Sequence, residues 1–142
     1  MQLAPTLSRI DTQLSELKQV TAAPTLELAI AALKTYPSAC ILMPRGKAGE
    51  NTLVNAIDQS VDDLFGVILA VRNVADMHGL AASKDMDVLR PKLIAALLNW
   101  SPATDYEAIT YAGHQMLYCK DGLLLWADHF ITRHRVRALT VQ

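Results

Sequence analysis

Residues 114–137 read "HQMLYCKDGLLLWADHFITRHRVR", and the fold hinges on the pair of residues inside that run. Asp121-Gly122 is a dipeptide that a type I′ turn selects, because both of its central residues need positive φ. A two-residue turn fixes the register of the strands on either side. It pairs Leu117 with Trp126, Gly113 with Phe130 and His114 with His129. A glycine opposite an aromatic ring has a physical sense, since the ring covers backbone that glycine leaves bare. Both runs exceed the usual five or six residues of a strand, so the C-terminal third is expected to be one long hairpin.

Upstream, "FGVILAVR" (65–72) is apolar on both faces and rich in valine and isoleucine, as a central strand is. Leu53, Ile57, Val61, Phe65, Val67, Leu69 and Val71 fall on one strand face. Val54, Ile57, Val61 and Leu64 satisfy helical spacing as well, which leaves 52–64 open between strand and helix. "ACILM" (39–43) reads as a short buried strand, with Pro44 at its exit. Leu7, Ile10, Leu14 and Leu17 form the apolar stripe of a first helix, which "TAAP" interrupts. Pro24 is placed to open a second helix carrying Leu26, Ile30 and Leu33, which Pro37 closes. "NVADMHGLAASKD" (73–85) reads as a loop. Met86, Leu89, Leu93, Leu97 and Trp100 then space out the clearest helix, with Pro91 in its early turns. Helices on one side of an antiparallel or mixed sheet that ends in a long β-hairpin give an α+β fold, a two-layer sandwich. It is expected to be a single domain over 1–142, with N-terminal helices about 5–35 and a sheet-and-helix core about 39–137.

Bulk properties narrow the function. The chain has 142 residues, 51% of them hydrophobic and 19% charged, with a formal net charge of −1. That is a globular composition with no bulk attraction to nucleic acid or a membrane surface. Cys40 and Cys119 are the two cysteines, which fits a reduced cytoplasm better than a disulfide scaffold. The first twenty residues carry charges throughout and lack the apolar core of a signal peptide. Every apolar run is too short to span a bilayer, so no membrane partner is expected.

The residues that could carry chemistry do not converge. "MPRGKAGEN" (43–51) sets glycines after a strand, but a phosphate-binding loop needs lysine and a hydroxyl directly after the last glycine. Gly49 is followed instead by Glu50, whose carboxylate repels phosphate. His114 and His129 would face each other, but zinc wants three or four ligands, and Asp128 and Cys119 fall on the other face of the expected ribbon. No serine stands in a nucleophile elbow. The pairs Asp62-Asp63 and Asp85/Asp87 read as residues before a strand and at a helix start, where negative charge offsets the dipole. In "RHRVR" (133–137), Arg133, Arg135 and Arg137 share a strand face that could meet phosphates. Charge there also blunts an exposed edge, and an edge or interface reading suits a net negative chain better. No catalytic residue, metal or cofactor is expected.

The succession "CILMPRGKAGENTL", "FGVILAVRN", "LRPKLIAALLNW" and "DGLLLWADHFITRHRVR" resembles the tail terminator proteins of Mu-like tailed phages and prophages. The likeness spans roughly 39–137, with Arg72-Asn73, Trp100 and the Gly-Leu-Leu-Leu-Trp strand its most telling parts. "RHRVR" is more basic than the family pattern, and Pro91 within the helix is unusual. The resemblance implies a structural protein whose hexameric ring caps the tail tube, ends its polymerisation and meets the head-side connector. Its partners would be further copies of itself, a tail tube protein and a head–tail connector protein. DNA would pass through the ring without specific contact, and the free protein could be a monomer. The place would be the head-proximal end of the virion tail, after assembly in the host cytoplasm. On this reading Arg45, Gly46, Lys47, Gly49, Glu50 and Asn51 form a mobile assembly arm, and Arg133, Arg135 and Arg137 a second contact that Asp62, Asp63, Asp85 or Asp87 of a neighbour would face. The alternative is a nucleic-acid-binding accessory module that uses the arginine strand; a small enzyme built on the histidine pair is the weakest reading.

Overall fold

The computed structural model describes residues 1–75 and 78–138. Asp76 and Met77, inside the stretch read as a loop, and residues 139–142, at the end of the expected domain, lie outside the described residues. Among the described residues, β1 (Gln19–Ala23), β2 (Ser38–Ala48), β3 (Ile57–Arg72), β4 (Thr110–Lys120) and β5 (Leu123–Ala138) form one sheet in the order β1-β2-β3-β5-β4. β1 lies parallel to β2, and every other neighbouring pair is antiparallel. Three helices complete the α+β fold: α1 (Leu3–Gln13), α2 (Leu26–Ala32) and α3 (Leu80–Leu97).

β3 is the central strand that "FGVILAVR" implies, and it takes in 57–64 as well, which closes the choice between strand and helix there. Strand alternation sorts its side chains onto two faces. Phe65, Val67, Leu69 and Val71 join Ile41, Leu124 and Phe130 under α1 and α3, meeting Ile10, Leu14, Met86, Leu89 and Leu93. Ile68 and Ala70 join Cys40, Leu125 and Ala127 on the opposite face, where Ala29 and Leu33 cover them. The two longer helices thus make the expected layer, and the short α2 is an addition on the far side.

Local readings failed where tertiary context decides. "QVTAA" has no alternation, yet it forms β1, because β2 beside it supplies the hydrogen bonds; a strand therefore interrupts the expected pair of N-terminal helices. α1 stops at Gln13, and Leu14 and Leu17, beyond its end, still reach the core. The second helix starts after Thr25, whose hydroxyl accepts from the Leu28 amide at 3.2 Å, rather than at Pro24. That cap sets the helix phase, so Ala29 and Leu33 turn inward while Leu26 and Ile30 stay exposed. The helix also ends well before Pro37. β2 runs past Pro44, because its register slips between Leu42 and Arg45 and the bulge takes up a residue with no N–H to donate. α3 begins at Leu80 behind a left-handed Gly79, so Asp85 and Asp87 are not at its start and "LAASKD" is not loop. Pro91 sits in the second half of that helix, and Trp100 lies beyond it. Among the described residues, no helix is long and apolar enough to cross a membrane.

The hairpin turn is type I′, with φ of 54° at Asp121 and 79° at Gly122. Its register holds for Lys120–Leu123, Cys119–Leu124 and Tyr118–Leu125, then slips at Leu117 and again at Ala112. Trp126 therefore faces Met116, Phe130 faces Tyr111, His114 faces Asp128 and Gly113 faces His129. The expected Leu117–Trp126, Gly113–Phe130 and His114–His129 pairs do not form. Each slip has a visible return. The extra residue lets Leu117 pack against the α2-side cluster, and it brings the Tyr111 ring edge-on to Phe130, 5.7 Å between centroids. Phe65 stacks on the same Phe130 at 5.6 Å.

A Cβ on Gly122 would stand 2.6 Å from the Asn73 carbonyl oxygen, at a φ that side chains rarely adopt. Gly122→Val is expected to cost about 2–3 kcal/mol, read as a lower urea midpoint at unchanged slope. A variant that unfolds with the wild type would refute this turn geometry.

Candidate assembly surface

Past Leu64 towards its N-terminus, β3 loses its apolar alternation but not its hydrogen bonds. Residues 57–64 stay paired with β5 on one side, and residues 61–64 with Arg45–Ala48 of β2 on the other. This three-stranded arm carries all nine residues singled out as interface candidates. Arg45, Gly46, Lys47, Gly49, Glu50 and Asn51 lie on β2 and the tip loop, and Arg133, Arg135 and Arg137 lie on β5. The register sets Lys47, Asp62 and Arg133 in one row and Arg45, Leu64 and Ile131 in the next, all on the α2 side of the sheet.

Much of the stretch read as a glycine loop is strand. Arg45–Ala48 are strand, and the Gly49 amide still donates to the Ser60 carbonyl at 2.7 Å. Gly46 is there for close approach, since a Cβ would meet the Asp63 carboxylate at 2.9 Å. Beyond Gly49, one side chain organises the tip. Asn51 Oδ1 accepts from the Asp58 amide at 2.9 Å, while its Nδ2 donates to the Ala56 and Leu53 carbonyls at 2.9 and 3.3 Å. The result holds Leu53 and Val54 out at the end, with Val54 86% exposed.

The arginine row meets its acids inside the subunit. Arg133 Nε donates to Asp62 at 2.6 Å, Arg135 Nε to Asp58 at 2.8 Å and Arg137 Nε to Asp58 at 3.3 Å. Hydrogen bonds from Arg135 and Arg133 hold the Asp58 and Asp62 carboxyls below their usual range. Such depressed groups favour the folded arm above the ordinary carboxylate range, and that contribution fades as pH falls through their folded values. So Asp62 is not free to face a neighbour's arginine. Asp63 points to the opposite face, 3.5 Å from His134 Nδ1, and Asp85 accepts from Asn73 at 3.0 Å on α3. Asp58, the acid shared by two arginines, went unnoticed in the sequence. Among the described residues, Arg45 and Lys47 take part in no ion pair, which leaves them the uncompensated cations of this face.

A second polar cluster lies between α3 and the hairpin. Asp128 is fully buried and accepts from Arg90 at 2.8 and 3.1 Å and from the Tyr111 hydroxyl at 2.7 Å. The Arg90 guanidinium lies 4.5 Å over the Trp126 ring, on which His114 stacks at 5.4 Å. The hydrogen bond to Asp128 raises the Arg90 pKa, while burial, then that carboxylate, raises the Tyr111 hydroxyl. Both stay protonated donors, so the cluster is a clamp without a spare base. His129 lies on the other face, against Gly66, so the histidine pair is not assembled. Burial pushes the Cys40 thiol up to about 11, leaving little thiolate at neutral pH.

In comparisons with known proteins, the family model described as phage tail terminator protein matches residues 1–140. No curated protein matches the chain.

Neutralising Asp58 and Asp62 together (Asp58→Asn, Asp62→Asn) should leave Arg45, Lys47, Arg135 and Arg137 on the α2-side face of the arm without an ion-pair partner and Arg133 with Glu107 alone, 3.9 Å away. We expect an unchanged fold by circular dichroism and elution from a duplex-DNA column at clearly higher salt than the wild type. Wild-type protein that binds DNA as tightly as the double variant would return the arginine strand to the nucleic-acid reading.

Proposed function

The chain belongs to the phage tail terminator family, and from that premise we propose that six copies close into a ring that caps the tail tube. Family membership makes it a structural component of the phage tail that associates with other tail proteins. Within that role, the ring would end polymerisation of the tube and present a surface for the head-side connector at the head-proximal end of the tail. Assembly takes place in the host cytoplasm, and DNA passes through the ring without sequence-specific contact. No catalysis and no cofactor enter this function.

The observation that carries the proposal is the arm. Three paired strands project polar side chains, and on the arm's α2-side face Asp58 and Asp62 serve three arginines while Arg45 and Lys47 take part in no ion pair. Polar contacts between rigid surfaces make reversible interfaces that weaken with salt. A ring held this way is a monomer when dilute and closes at high concentration or on the tube, because a heterologous interface gains its full set of contacts only when the circle completes.

Arg45→Glu combined with Lys47→Glu should preserve the fold and impair tail completion, leaving overlong tubes visible by electron microscopy. Native mass spectrometry over a concentration series, with and without tail-tube protein, should reveal a six-membered species for the wild type. A stable dimer that never gives way to six copies, even on tubes, would overturn the ring.

A further inference from the structure

The sheet has two free margins, and they are unlike the arm. β4 bounds one side and β1 the other. β4 reads "TYAGHQMLYCK" and carries its one charged residue, Lys120, at its last position. β1 reads "QVTAA" and carries none. Neither contains proline. Natural proteins blunt a strand that has no neighbour with inward charges, lysines or prolines, because its unpaired N–H and C=O groups template pairing with another chain. Here inward charge and proline are absent from both margins, and the protection is limited to Lys120 at the end of β4, the two slips of β4 and the shortness of β1, although the arm of the same subunit has a charge at most positions of its α2-side face.

What β4 does have is two register slips, which leave Gly113–Met116 as its longest regular stretch. Its side chains are mostly exposed, Met116 and Tyr118 among them, and nothing lies within 4 Å of the place a Cβ would take on Gly113. The four-residue regular stretch of β4 and the five-residue β1 are close in length. Both are uncharged along that length, and they sit at opposite ends of one sheet.

We infer that β4 of one copy pairs, edge to edge, with β1 of the next, so that the sheet continues from subunit to subunit around a closed ring. The inference rests on the ring reading above and adds a main-chain contact between copies to the polar one proposed for the arm. Main-chain hydrogen bonds supply the affinity in such strand addition. The head-to-tail arrangement leaves no edge open once the ring closes, whereas pairing β4 with β4 would give a two-fold dimer and leave β1 bare. The contact is short, so a single one is weak, in keeping with a subunit that is monomeric when dilute.

Hydrogen exchange by mass spectrometry on wild-type protein, as monomer and as ring, tests this without altering the chain. Peptides covering 19–23 and 113–116 should both exchange roughly ten-fold or more slowly in the ring, because amides that faced water now donate to a strand. As a second arm, Gln115→Lys and Thr21→Lys should each lower the ring fraction at least about ten-fold at equal concentration while the thermal transition stays near that of the wild type. A ring whose two segments exchange as they do in the monomer would overturn the edge pairing and leave the ring reading standing. Protection of β4 alone, whether in a two-fold dimer or only on tubes, would overturn it as well, giving the edge to a second β4 or to the tube protein. Failure to form any six-membered species would remove the ring reading, and the edge pairing with it.

Discussion

β3 is hydrogen-bonded on one edge along its whole length and on the other along most of it, and this ladder sets the terms for everything around it. A strand of sixteen residues runs roughly 50 Å, longer than the stretch of it that the helices cover. From Phe65 to Val71 its side chains are buried on both faces, so both faces have to be covered. α1 and α3 cover one; α2, through Ala29 and Leu33, covers the other. Before Phe65 the apolar supply runs out, yet the backbone groups still need partners, and β2 and β5 continue beside it to provide them. The arm is the part of the ladder that outlasts the core.

The clamp on Asp128 works in the core part of the same strand system, where Asp128 pairs with Val67. A buried carboxylate would be costly alone, but two bonds from Arg90 and one from Tyr111 saturate it, and the guanidinium caps the Trp126 ring. Removing one partner of such a pair typically costs about 3–5 kcal/mol, because the other is left charged and dry. Arg90 comes from α3, Tyr111 from β4 and Asp128 from β5, so one cluster fixes the helix and the marginal strand to the sheet. It also accounts for the second slip in β4, which carries the Tyr111 hydroxyl to that carboxylate.

The parts of the fold that were legible in the sequence are those settled by neighbours along the chain. Asp121-Gly122 announced its turn because two adjacent residues suffice to specify it, and "FGVILAVR" announced a central strand by its composition. The slips at Leu117 and Ala112 were not legible, because the residue that a strand sets aside depends on what waits across the sheet. "QVTAA" became a strand only through β2. The arginines at 133, 135 and 137 were visible as a shared face. Their acids at 58 and 62 were not, since the β3–β5 register is set by no local turn and the two segments lie far apart in sequence. Asn51 was noticed as a polar contact, while its role in shaping the tip depends on backbone groups that a sequence does not position.

That tip has a kinetic side. Loops that order only when they dock must first find their bound shape, and each immobilised side chain and backbone torsion subtracts from affinity. With its strands already laddered and its end gathered around a single amide side chain, the arm arrives as a solid lever with its conformational search completed during folding. Such an encounter needs no ordering step, and a required conformational change is one of the things that slow association between proteins. For the cap proposed above, which would have to reach the end of a growing tube before the next building block, speed would count as much as strength.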